Sequence, residues 1–86
     1  MIDIQLKDRS AGPIYLQIRT QLEGHIRAGR LAAGEALPSP AALARQLSAD
    51  AGEVQRAYFE LEHYGLITKT TSRDFLGKEK TTYAVK

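Results

Sequence analysis

Eighty-six residues, 43% of them hydrophobic and with 12 Lys and Arg against 10 Asp and Glu for a formal charge of +2, describe one small soluble domain. A chain of this size buries about 60% of its unfolded surface on folding. The absence of Cys excludes disulfides and thiolate metal sites and fits a reducing cytoplasm. No apolar run nears the ~20 residues that span a bilayer, and Met1-Ile2-Asp3-Ile4 has neither the basic nor the apolar region of a signal peptide.

Residues 1–12 alternate Ile2, Ile4 and Leu6 ahead of a Ser-Ala-Gly-Pro break, the pattern of a lead-in strand. Pro13 suits the first turn of a helix, where a missing N–H costs nothing. Ile14, Ile18, Leu22 and Ile26 then recur every fourth residue, which predicts a first helix over 13–28 capped by Gly29. Leu31 to Leu37 is a connector with an apolar residue at each end. Ser39-Pro40 is a helix start, with Leu43, Ala44 and Leu47 facing inward over 40–47. After the turn Ser48-Ala49-Asp50, a third helix over 51–64 buries Val54, Ala57, Tyr58 and Leu61. Asp50 and Glu53 have the spacing of a capping box, and Gly65 ends the helix with Leu66 closing over it. Over 66–86 the period changes to that of strands: Leu66 to Thr71 and Lys80 to Val85 form a hairpin with a long tip, Ser72 to Glu79, around Gly77. Three helices, two of them joined by a three-residue turn, and then a hairpin make an α+β winged helix-turn-helix.

On that scaffold the third helix is the one expected to enter a DNA groove, yet its charge is wrong for the task. Between residues 50 and 65 four carboxylates (Asp50, Glu53, Glu60, Glu62) face one cation, Arg56, a local charge of −3. The hairpin, 66–86, carries +3. Phosphate contact supplies much of the affinity for DNA, so an acidic reading helix and a basic wing pull in opposite directions.

Pro13-Ile14-Tyr15-Leu16-Gln17-Ile18, Gly29-Arg30-Leu31-Ala32-Ala33-Gly34, Leu37-Pro38-Ser39, Leu43-Ala44 and Arg56-Ala57-Tyr58-Phe59-Glu60-Leu61-Glu62 resemble, in that order, the N-terminal domain of GntR-type bacterial regulators. The lead Ile2-Asp3-Ile4, the run Asp8-Arg9-Ser10 and the pair Ala57-Tyr58 are most similar to the short YtrA-type branch. The resemblance covers about residues 2 to 67. It implies a winged-helix domain of a kind that usually dimerises and represses transcription; separately, no cofactor is expected. The shared residues are mostly scaffold, and the departures lie where such a family touches DNA. Ala41 stands where an Arg is usual. Asp50-Ala51-Gly52-Glu53 replaces a polar and basic opening of the third helix, Phe59 replaces a cation, and Gly77 is the sole glycine of the tip.

Two functional readings follow. In the first, double-stranded DNA is the partner. Ser39, Gly52, Gln55 and Arg56 meet it from the helices, and Lys69, Arg73, Lys78 and Lys80 hold the wing on the backbone. In the second, the fold has lost DNA and serves as a protein-interaction or assembly module, a homodimer included, through Glu53, Phe59, Glu60, Tyr64, Phe75 and Leu76. Phe59 lies about 100° from Tyr58 around the helix and is expected to be exposed. Phe75 and Leu76 fit either an apolar wedge or a dimer contact. His25 and His63 are isolated, with no metal-ligand spacing and no nucleophile paired to a base, so an enzyme is not expected.

Overall fold

A computed structural model describes residues 3–86. After a short 3-10 turn, Arg9–Ala11, come α1 (Ile14–Arg27), β1 (Ala36–Leu37), α2 (Pro40–Leu47), α3 (Ala51–His63), β2 (Ile67–Arg73) and β3 (Glu79–Val85). The three strands form one antiparallel sheet in the order β1-β3-β2. Ile18 and Leu22 of α1, Leu43 and Ala44 of α2, and Val54, Ala57, Tyr58 and Leu61 of α3 close on Ile67, Tyr83 and Val85 at the sheet's inner end. This is the winged helix-turn-helix architecture. Beyond the core the hairpin runs on into solvent, which stretches the molecule to 46 × 26 × 23 Å.

The lead-in differs from expectation. Residues 3–8 are extended but pair with no strand, and Ile2 lies outside the described residues. Their backbone groups are met by two glutamines one turn apart on α1. Gln21 Oε1 accepts from the Gln5 N–H at 2.8 Å, and Gln21 Nε2 donates to the Gln5 carbonyl at 2.8 Å. Gln17 Oε1 accepts from the Lys7 N–H at 2.8 Å, and its amide donates to the carbonyls of Gly12 and Asp8. A helix side-chain ladder thus replaces a β partner, and it presses Ile4 into the core. Just after it, the Ser10 hydroxyl and N–H both donate to the Asp8 carboxylate, which holds that carboxyl below its usual range.

Pro13 precedes α1 rather than opening it, and its side chain caps nothing. The cap comes from elsewhere in the chain. Glu53 of α3 places Oε2 2.8 Å from the Tyr15 N–H, in the first turn of α1. The expected Asp50–Glu53 capping box is therefore not formed. Asp50 caps α3 alone, accepting from the Gly52 N–H at 2.7 Å. The physical reason lies in α1, whose first turn has unpaired N–H groups and the positive end of the helix dipole, with no side chain of its own to meet them.

Helix α3 stops at His63, with Tyr64 as cap and Gly65 at φ 77°, a conformation that favours glycine. The Leu66 N–H returns to the Leu61 carbonyl at 2.9 Å and the Gly65 N–H to Glu62 at 3.0 Å, the paired bonds of a Schellman end. The connector after α1 contains a strand that its sequence did not announce. Ala36 and Leu37 pair with Ala84 and Tyr83, so that β3 is the central strand of the sheet. In the hairpin the strands extend to the pair Arg73–Glu79, so the tip is shorter than expected.

Candidate nucleic-acid interface

Tyr58 sets the relation of α3 to everything around it. Its ring is fully buried, edge-on to Tyr83 of β3 with centroids 4.9 Å apart, and its hydroxyl donates to the Pro38 carbonyl at 2.8 Å. One side chain so fixes α3 against both the wing and the segment that starts α2. Burial, with Tyr83 adding to it, pushes the phenol well above the ordinary tyrosine value, so it remains a neutral donor.

Around this anchor, Ser39, Pro40 and Ala41 of the α2 start, Ala51 and Gln55 of α3, and Lys69, Thr81 and Tyr83 of the wing line one open groove. Two helix N-termini thus open onto it, and unpaired N–H groups at helix starts favour anions. Of the residues expected to meet DNA, the groove gathers Ser39, Gln55 and Lys69. The Ser39 oxygen also accepts from the Ala42 N–H at 3.1 Å as the cap of α2. Gly52 is exposed in the first turn of α3, its missing side chain facing only the Asp50 carboxylate.

Arg56 is not in the groove. Its guanidinium carbon lies 3.8 Å from the centre of the Tyr15 ring, and Nε is 3.6 Å from Glu60, so it leans toward α1 while staying 60% exposed. Arg73 is at the outer end of the hairpin, 3.1 Å from Glu79 across the strands. Lys78 belongs to the tip. Lys80 pairs with Ser72, and strand alternation puts both on the face opposite Lys69, Thr71 and Arg73. The wing cations are therefore divided between two faces.

The residues of the second reading separate as well. Glu53 is half-buried as the cap of α1, and Glu60 accepts from Arg19 of α1 at 2.9 Å besides facing Arg56. Both carboxylates belong to the α1–α3 contact. Phe59 and Tyr64 remain exposed, at 67% and 65%, with the Arg19 guanidinium 5.8 Å from the Tyr64 ring. Phe75 and Leu76 sit apart from them, at the tip of the hairpin.

The −3 counted along the third helix is thus not a −3 on its outer face. Arg19, distant in sequence, neutralises Glu60, and Glu53 answers the positive end of α1. Residues that sequence reasoning passed over now matter. Ala51, Thr81 and Tyr83 help to wall the groove, and the strand register of the hairpin is the signal that could have placed Thr81 opposite Thr71. Arg45, one helical turn after Ala41, is exposed and pairs with no carboxylate among the described residues. Its i+4 spacing from the missing Arg position could have flagged it.

A helix-turn-helix whose second member shares a groove with a basic hairpin is the architecture of a winged-helix nucleic-acid-binding domain. Residues 14–73 match the family model described as "Bacterial regulatory proteins, gntR family". Over 61 residues the chain is 44% identical to the HTH-type transcriptional regulator Rv1152 of Mycobacterium tuberculosis, covering 70% of this chain and 50% of that protein. Over 70 residues it is 39% identical to the HTH-type transcriptional repressor YtrA of Bacillus subtilis, covering 81% and 54%. Among solved structures it is similar to YtrA from Sulfolobus acidocaldarius, a GntR-family transcription factor, with a TM-score of 0.74 and 34% identity over 99% of this chain and 79% of that one. The chain belongs to the GntR family, and its fold is the helix-turn-helix domain of such a regulator. It spans about half the length of the curated relatives it matches.

Proposed function

We propose that this domain binds double-stranded DNA as part of a transcriptional regulator, with the start of α3 in the major groove and the wing along the backbone. The observation that carries this reading is the groove itself: Gln55, Ser39 and Lys69 meet there beside the starts of α2 and α3. Gln55 is the base reader, since its amide matches the paired donor and acceptor of adenine, while Lys69 and Arg45 supply phosphate contacts. Gly52 and Ala51 let the α3 backbone approach closely. Arg56 serves as an outer phosphate contact, held in place by Tyr15 and Glu60. Glu53 and Glu60 do not oppose this, because both are engaged with α1. A two-fold pair of such domains would read two half-sites about one helical turn apart. The cytoplasm is the compartment this reading proposes for the protein.

Titration of the isotope-labelled chain with duplex DNA, followed by amide NMR, tests the assignment. The largest shifts are expected at Ser39, Ala41, Ala51, Gln55 and Lys69. Shifts confined to Phe59 and Tyr64, or none, would overturn it. One observation favours a second reading, a protein contact: Phe59 and Tyr64 lie exposed on α3 and at its C-terminal end. If that patch joins two copies, Phe59→Ala lowers the mass found by sedimentation.

A further inference from the structure

The hairpin ends in an apolar point that the groove does not use. Phe75 is 96% exposed and Leu76 67% exposed, although neighbouring bonds hold the turn closed. The Asp74 carboxylate accepts from the N–H groups of Leu76 at 2.9 Å and Lys78 at 3.0 Å. The Asp74 N–H donates to the Lys78 carbonyl and the Gly77 N–H to the Asp74 carbonyl, each at 3.0 Å, with Gly77 at φ 82°. An aromatic and an aliphatic side chain are thus presented on a fixed turn rather than on a loose loop, so little conformational entropy is lost when they enter a site.

We infer that Phe75 and Leu76 form a wedge that enters the minor groove beside the α3 site and opens a base step, bending the duplex. The inference rests on the DNA-binding reading above. Charge favours DNA over an apolar protein pocket: around the tip Arg73, Lys78 and Lys80 outnumber Asp74 and Glu79, for a net +1 over residues 73–80. Continuity fixes the groove. Lys69 lines the helix groove, and Thr71 and Arg73 follow it along the same face of β2 toward the tip. From Lys69 to Arg73, where β2 ends, is four residues, about 13 Å of strand, and the Asp74 turn carries Phe75 beyond it. That reach is close to the half helical turn, about 17 Å, that separates a major groove from the adjacent minor groove. With α3 in one groove, the cationic strand crosses the phosphates and the tip reaches the next. Apolar side chains inserted there unstack a step and kink the duplex by about 20–90°, most easily at flexible pyrimidine–purine steps.

The test uses end-labelled duplexes of equal length, one with central TA steps and one an A-tract, read at low salt by anisotropy for binding and by energy transfer for bending. The wild-type chain is expected to bring the ends of the TA duplex together and to prefer it over the A-tract. Phe75→Ser with Leu76→Ser is expected to abolish the bend and the preference and to weaken binding roughly tenfold, as lost insertion should. Both residues are exposed, so an unchanged melting temperature verifies the fold of the variant. Binding by the wild-type chain without bending, or bending that survives the double substitution, overturns the wedge and leaves the DNA-binding reading intact. A variant that keeps the bend but loses self-association by sedimentation overturns it in favour of a dimer contact. No binding by the wild-type chain overturns both readings.

Discussion

Glu53→Ala separates the two meanings of an acidic residue at the start of a recognition helix. Its carboxylate is the only side chain capping the first turn of α1 among the described residues, through the Tyr15 N–H at 2.8 Å. Loss of a cap costs typically about 1 kcal/mol. Loss of a negative charge at the positive end of a helix adds about 0.3–1 kcal/mol. The sum, about 1.5 kcal/mol, lowers the melting temperature of a domain this size by roughly 6–12 °C. Glu53→Gln keeps an acceptor oxygen and gives up mainly the charge, so its loss is about 0.5 kcal/mol. Thermal melts followed by circular dichroism measure both. The same variants are then titrated with duplex DNA. A carboxylate turned to α1 predicts affinities within about twofold of the wild-type chain once stability is accounted for, whereas a carboxylate facing phosphate predicts a several-fold gain on neutralisation. An unshifted melting temperature together with a gain in DNA affinity would refute the capping role and restore Glu53 to the outer face of α3.

Three further outcomes follow from the same contacts. Tyr58→Phe strands the Pro38 carbonyl and is expected to destabilise the domain by about 1 kcal/mol in urea titrations. The wild-type chain keeps this phenol neutral when folded, while the unfolded chain ionises it near pH 10. Its contribution is therefore complete below about pH 10 and is lost as pH climbs from there toward the raised folded value, a slope that Tyr58→Phe removes. A double-mutant cycle over Arg19→Met and Glu60→Gln is expected to give a coupling near 1 kcal/mol, because both side chains are only 24% exposed; a coupling near zero would make the pair incidental. Lys69→Ala is expected to reduce the salt slope of duplex binding by about 1, and an unchanged slope would remove Lys69 from the phosphate contacts.

What could be read from the chain and what could not divide along one physical line. The helices announced themselves through local periodicity. Ile18 and Leu22 on α1, and Val54, Ala57, Tyr58 and Leu61 on α3, are buried because spacing of three and four residues puts them on one face. The two-residue β1 was not legible, since its existence depends on β3, almost fifty residues later. Gln17 and Gln21 lie outside the apolar stripe of α1, and nothing local says that they hold the backbone of the lead-in. The Asp50–Glu53 spacing supported a capping box, but a helix 38 residues earlier offered Glu53 a better donor. The wing was under-measured for a similar reason. Ser72 and Arg73 are weak strand formers alone, yet the cross-strand pair Arg73–Glu79 and the Asp74 turn carry the ladder past them. At the candidate site, Ser39, Gln55 and Lys69 could be nominated from sequence, but their meeting in one groove could not. The charge pattern misled most. It summed along a helix what the fold distributes across two.

The central claim, that the helix start and wing of this domain still engage DNA despite the acidic third helix, is tested most directly by fluorescence anisotropy with duplex DNA over a series of salt concentrations. The three phosphate contacts per copy, Lys69, Arg45 and Arg56, predict saturable binding at low salt, with log K falling against log salt at a slope of about −2.7. Absence of binding at protein concentrations of tens of micromolar in low salt, or binding indifferent to salt, would contradict it.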